Sequence, residues 1–469
     1  MLMKIYLTAS QRRPPKDDKE VSCREYYAYK LQIRPNNFLL RSGRIFLQYI
    51  DDMYIKIENT RLDYLRRNQT QIRSELYQGI VDSVNEGNKN ATSIGRRVIL
   101  PASFIGGPRD MRCRYLNAMT LVQKYGKPDL FITITCNPNW PEIQSQLSPT
   151  ETPQNRPDLI ARIFHSKLML LKKLITEDNI FGPIAARVQV VEFQKRGLPH
   201  AHILLILESN HKILNPEAFD KYVCAELPSI EYPYLRGLVI KHMIHGPCGN
   251  LNPNCACMKE ENHRRTCKAK YPKHYAKFTT CGEDSYPIYQ RRQNGDSVRV
   301  RGATLDNRWV IPYNPYLLAT FDCHINVEIC STIEAVKYLY KYVYKGHDRV
   351  SFNISHNDHY KEDEITTYQN GRWISPPEAA YRIFGFNLFE MSPAVIPLQI
   401  HLPRMQLVPF NEYENLQNIV GNEYRQTTML IAFFNHNKQN PENITTISRC
   451  TTCGINHANY GPKEKYQKH

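Results

Sequence analysis

Hydrophobic positions along the chain follow two periods. Between residues 23 and 93, Tyr26, Leu31, Phe46, Tyr49, Met53, Ile57, Leu62, Leu65, Ile72, Leu76, Ile80 and Val84 recur mostly three or four apart, the spacing of one helix face. Met111 to Tyr125 is a further helix candidate. Asp158 to Thr176 reads as an amphipathic helix through Leu159, Ile163, Phe164, Leu168, Leu171 and Leu174. A strand-like pattern takes over at Asp129–Thr135, Val188–Phe193, Ile203–Leu207 and Phe321–Glu328. Ile288 to Arg301 is expected to form a hairpin around Asn294-Gly295. Strand, helix, strand, strand predicts an α+β fold with a central antiparallel sheet and flanking helices, not an alternating parallel one.

These patterns divide the chain into a polar start (1–22), a helical accessory domain (23–115), a first half of the core (116–240), a cysteine-rich insertion (241–285), a second half of the core (286–400) and a C-terminal extension (401–469). The start and the polar end, Asn437 to His469, are expected to be poorly ordered. A 42% hydrophobic content suits a globular protein with a full core. Lys and Arg outnumber Asp and Glu by 61 to 45, a net charge of +16 that favours polyanionic partners, nucleic acid first. No secretory signal pattern opens the chain and no apolar run reaches membrane-spanning length. A reducing compartment is therefore expected, and the 13 cysteines, where clustered, read as metal ligands rather than disulfides. The absence of the G-x-x-x-x-G-K-[ST] pattern argues against ATP hydrolysis by that route.

Candidate chemistry concentrates at three places. His200 and His202 flank one small residue ahead of the Ile203–Leu207 strand, so both imidazoles project from one strand face and can chelate a divalent ion. The turn signal Lys195–Pro199 would fold Val188–Phe193 back and bring Glu192 or Gln194 beside them as a third ligand. In the insertion, His245, Cys248, Cys257 and Cys267 form the best structural zinc set, with Cys255 and Cys281 as substitutes. Ser331-Thr-Ile-Glu334 is a capping-box start and Gly346 a helix end, so the segment between reads as a helix. On it Tyr338 and Tyr342 share one face and Tyr340 and Tyr344 roughly the opposite one. A phenol beside a metal-polarised phosphate can act as a covalent nucleophile. Lys337, Lys341 and Lys345, with Arg291, Arg292, Arg299 and Arg301 of the expected hairpin, are candidate phosphate contacts.

The ordered set Phe131–Trp140, Glu192–His202 and Lys337–Gly346 resembles the replication-initiator region of Helitron rolling-circle transposases, members of the endonuclease superfamily with a His-hydrophobic-His motif and catalytic tyrosine. The resemblance covers roughly residues 20 to 435. It implies that His200 and His202 bind Mg or Mn, with Glu192 the acidic third ligand and Gln194 its alternate, and that Tyr338 and Tyr342 are the nucleophiles. It further implies cleavage of single-stranded DNA through a 5′-phosphotyrosine with release of a 3′-hydroxyl, in the nucleus, with no membrane and no small-molecule cofactor. Cys257-Met and Cys267–Lys273 also resemble the family. The helicase that follows the nuclease in complete Helitron proteins, with its P-loop, has no counterpart in these residues. Two rival readings are a catalytically silent DNA-binding remnant and a phosphoesterase acting on small molecules through the same histidines.

Overall fold

Apolar residues at alternate positions of one strand need neighbours of the same parity, and that requirement builds the central sheet. The computed structural model describes residues 21–441 except 36, 70–71, 88, 90–95, 98–99, 102–103, 194–196, 262–263, 283–286, 331–363, 396–400, 412 and 440. Its strands, in chain order, are β1 (Ile72–Leu76), β2 (Arg96–Arg97), β3 (Leu130–Thr135), β4 (Ile184–Phe193), β5 (Pro199–Leu207), β6 (Met258–Glu261), β7 (Arg264–Cys267), β8 (Ser297–Val300), β9 (Ala303–Asp306), β10 (Ile325–Ile329), β11 (Phe389–Ser392) and β12 (Leu407–Asn411). The fold is α+β, as the patterning predicts.

The chain forms two compact units that interleave in sequence. One takes the described residues of Met1–Ile57, Met111–Asp348 and Trp373–Ala394; the other takes those of Glu58–Asp110, Arg349–Arg372 and Val395–His469. Residues 23–115 therefore divide between the two units.

The first unit holds a five-stranded antiparallel sheet ordered β10-β3-β5-β4-β11. Leu130, Ile132 and Ile134 lie opposite Leu205, Ile203 and Ala201, and Ile325 lies opposite Ile134. All are fully buried and share one face. The helix Pro157–Thr176 buries Phe164, Leu168, Leu171 and Ile175 in the same core. Removing a side chain such as Phe164 from such a core costs about 3–5 kcal/mol. Asp129, 1% exposed, fixes the entry to β3: its Oδ2 accepts from the Leu207 amide and the Lys212 ammonium, both at 2.8 Å. Gly197, in the turn between β4 and β5, has φ +81° in the left-handed region, and a Cβ there would lie 3.3 Å from Pro377 Cγ.

The second unit holds the sheet β12-β1-β2 and a core of Tyr77, Ile80, Val408, Phe410, Leu416 and Ile419. A separate cluster joins Leu62, Leu100, Phe104, Ile365 and Tyr368. Beside it Glu58 accepts from the Tyr368 hydroxyl at 3.2 Å and from Arg372 Nε at 3.3 Å.

Four expectations change. Ile72 and Leu76, expected on a helix face, lie in the strand β1, which pairs with β12. The hairpin does not turn at Asn294-Gly295: β8 and β9 pair through Arg301-Gly302, whose φ values of +49° and +83° meet the demand of a two-residue turn for two left-handed positions. Phe321–Glu328 is not one strand. Pro315–Phe321 is a helix, Asp322 ends it at φ +40°, and β10 starts at Ile325. Arg291 is not a phosphate contact. It is 4% exposed, and its Nη1 donates to the carbonyls of Ala225, Asn307 and Val310 at 3.0, 2.6 and 2.7 Å. Burial pulls its pKa below the ordinary value, so the guanidinium is tied into the fold. Arg292 is exposed and pairs with Glu226, its Nε 3.0 Å from Oε2; Arg299 and Arg301 are exposed. Arg291→Met should therefore lower stability to denaturant by roughly 3 kcal/mol through three stranded carbonyls, whereas Arg299→Met should change it by less than about 0.5 kcal/mol; urea unfolding curves check both.

Candidate metal centres

The same alternation that buries Ala201 and Ile203 turns His200 and His202 to the opposite sheet face. There Thr135 and Thr133 lie across from them on β3, and Glu192 lies directly across from His200 on β4. The Nε2 atoms of His200 and His202 stand 3.3 and 3.7 Å from the same carboxylate oxygen, Glu192 Oε2. The side chains are 14%, 8% and 29% exposed. The ligand atoms of all three lie within 4.8 Å of one another. Adjacent oxygen or nitrogen ligands around a small divalent ion stand about 3 Å apart when each is about 2.1 Å from it. The three donors thus fit one ion with small adjustments; the carboxylate oxygen suits Mg or Mn, and the two imidazoles suit Zn, Fe or Ni.

Second contacts fix the His202 ring. His202 Nδ1 lies 3.0 Å from Thr133 Oγ1, which turns Nε2 toward Glu192. The His202 ring stacks on Phe131, with centroids 5.5 Å apart and planes within 7°. Burial pushes the Glu192 carboxyl up, but hydrogen bonds and charge from both histidines outweigh it and hold its pKa at about 2. It is a carboxylate at any working pH. Sequence reasoning missed Thr133; the alternation of Phe131, Thr133 and Thr135 was the signal that could have placed it on the histidine face. It also missed a neighbouring group: His242 Nε2 lies 2.7 Å from Asp322 Oδ1, and burial lowers His324 to about 4, with His242 and His200 adding to the shift.

The second centre lies in the cysteine-rich insertion. Ligand atoms of His245, Cys248, Cys257 and Cys267 come within 4.8 Å of one another, the set preferred from spacing. The β6–β7 hairpin positions two of them: Met258 pairs with Cys267, and the Lys268 amide donates to the Cys257 carbonyl at 2.9 Å. His245 Nε2 lies 3.5 Å from Cys267 Sγ, and its ring stacks on Tyr271 at 4.2 Å. Burial raises the Cys267 thiol, but hydrogen bonds with the backbone of Tyr271 and Ala269 lower it further, which favours the thiolate a metal needs. Burial lifts Cys248 to about 11 without a metal. Three thiols and one imidazole could bind zinc. Cys281 is exposed, and neither it nor Cys255 belongs to the cluster.

Gln194, Lys337, Tyr338, Lys341, Tyr342 and Lys345 lie outside the described residues. Residues 26–205 match the family model described as the Helitron helicase-like domain at N-terminus. The match supports a Helitron-related protein and suggests a transposon-associated DNA-processing role. It includes Glu192, His200 and His202 and ends before the His245 cluster. No curated protein matches the chain. No helix among the described residues is long and apolar enough to cross a membrane.

Two measurements test the centres. Elemental analysis should find about one zinc per purified chain, reduced in Cys257→Ser and kept in Cys255→Ser. Calorimetric titration should show Mn binding that is lost in His202→Ala and weakened roughly tenfold in Thr133→Val, which keeps the shape but loses the hydroxyl.

Proposed function

We propose that the chain is a metal-dependent single-stranded DNA endonuclease and strand transferase of the rolling-circle transposition type, with a sheet of the His-hydrophobic-His endonuclease kind. The observation that carries this reading is the convergence of His200, His202 and Glu192 on one sheet face, within the span related to Helitron proteins. The net charge of +16 favours the polyanionic substrate.

In this reading His200, His202 and Glu192 hold one Mg or Mn. When bound, the ion polarises the scissile phosphate as a Lewis acid. Thr133 and Phe131 keep the His202 ring in place, and Glu192, ionised throughout, supplies negative charge to retain the ion. Tyr338 and Tyr342 are the proposed nucleophiles. A phenol oxygen forms a bond to phosphorus while the bond to the 3′-oxygen breaks. The phenol loses its proton and the departing 3′-oxygen gains one. The product is a 5′-phosphotyrosine and a free 3′-hydroxyl, and a second tyrosine permits a second cleavage and strand transfer. Lys337, Lys341, Lys345, Arg292, Arg299 and Arg301 are proposed to neutralise phosphates. The His245–Cys267 cluster holds structural zinc, and the place of action is the nucleus.

The test is covalent capture. Purified protein incubated with labelled single-stranded DNA and Mn should give a band on a denaturing gel that resists boiling. His200→Ala/His202→Ala should abolish it, and Tyr338→Phe or Tyr342→Phe should abolish or sharply reduce it. Folded, metal-loaded protein that binds DNA yet never forms this band would sink the nuclease reading in favour of a silent DNA-binding remnant.

A further inference from the structure

One surface outside both metal centres combines exposed aromatic rings with cations. It runs along the helix Cys23–Lys30 and the chain that follows to Arg44. Tyr26, Tyr29 and Phe38 are 48%, 54% and 77% exposed. The guanidinium of Arg34 lies 3.5 Å from the Tyr29 ring centroid, and the ammonium of Lys30 lies 5.5 Å from that of Tyr26. Between residues 24 and 44 stand Arg24, Lys30, Arg34, Arg41 and Arg44 against a single acid, Glu25. Glu25 is engaged with Ser22 in a capping box.

The surface is braced from beneath. Tyr27, Leu31, Leu40 and Phe46 are buried in the same core as the five-stranded sheet. Arg24 reaches the Ile383 carbonyl at 3.5 Å on the helix Pro376–Ile383. The start of that helix, at Pro377, lies beside Gly197 in the turn between β4 and β5. The surface therefore lies one helix away from the histidine hairpin, within the same unit.

We infer that this surface is a stacking track for single-stranded nucleic acid. Flat rings offer every base a π-face, and guanidinium and ammonium groups beside them can follow the phosphates. A protein partner of apolar character would meet an excess of positive charge, while a duplex hides the base faces the rings would need. The inference requires no cleavage chemistry, so it stands or falls separately from the nuclease reading.

Fluorescence anisotropy on the full chain carrying His200→Ala/His202→Ala, which cannot cut, tests it. The probes are short oligo-dT and oligo-rU strands, with duplex DNA as competitor. Tyr29→Ala and Phe38→Ala, at exposed positions, should each weaken single-strand binding by about fivefold or more. Arg41→Glu/Arg44→Glu should reduce the slope of log affinity against log salt by roughly 1.4. Tighter binding of oligo-dT assigns the track to DNA, and tighter binding of oligo-rU assigns it to RNA. Binding by both aromatic variants equal to the parent, with unchanged circular dichroism, or a duplex that competes as well as the single strands, would overturn the inference. Failure of covalent capture with binding intact would overturn the nuclease reading alone.

Discussion

The antiparallel register of β3, β5 and β4 is the constraint on which the rest depends. It sets Ile134 against Ala201 and Val191 against Ala201, and the same step sets Thr135 against His200 and Glu192 against His200. One residue of slip in β4 would send Glu192 into the apolar core and bring Val191 to the histidines. The core thus specifies the site: burying Ile134, Ala201 and Val191 on one face sets Thr135, His200 and Glu192 on the other. Asp129 and Gly197 guard the two ends of this arrangement, the first by accepting two hydrogen bonds at the sheet end, the second by permitting the turn.

The cysteine-rich insertion is tied to the same sheet. Glu328 on β10 is raised to about 7 by desolvation, partly offset by Tyr289, Lys273 and Arg291. Tyr289 accepts from the Ile329 amide at 2.8 Å, and Lys273 lies two residues beyond Tyr271, which stacks on the ligand His245. A chain of polar groups therefore runs from the Cys/His cluster to an edge strand of the sheet that carries His200 and His202. Such groups are costly to bury unless their partners are held in place. This gives the cluster a structural purpose at the sheet, beyond closing its own loop.

Much of this was legible in the sequence because it rests on short-range periodicity. The histidine pair, its acidic neighbour and the four cluster ligands were readable from parity on strands and from ligand chemistry. The hairpin at Asn294-Gly295 was misread because a good local turn signal lost to the pairing of Ser297–Val300 with Ala303–Asp306, where an arginine takes a left-handed position that composition disfavours. Arg291 was misread because nothing local marks three carbonyls that arrive from residues 225, 307 and 310. The His242–Asp322 pair was invisible for the same reason, and Thr133, though alternation marks its face, gave no sign of its contact with His202 because that partner is distant in sequence.

The pairing of β1 with β12, residues 72–76 against 407–411, carries a consequence for the birth of the molecule. A ribosome delivers the first of these strands long before the second. Until the late segment emerges, β1 lacks its principal partner and Tyr77 and Ile80 lack Val408 and Phe410. The nascent chain must therefore keep an unpaired strand and an apolar helix face soluble until Leu407–Asn411 emerges, which makes this region a natural client for chaperones.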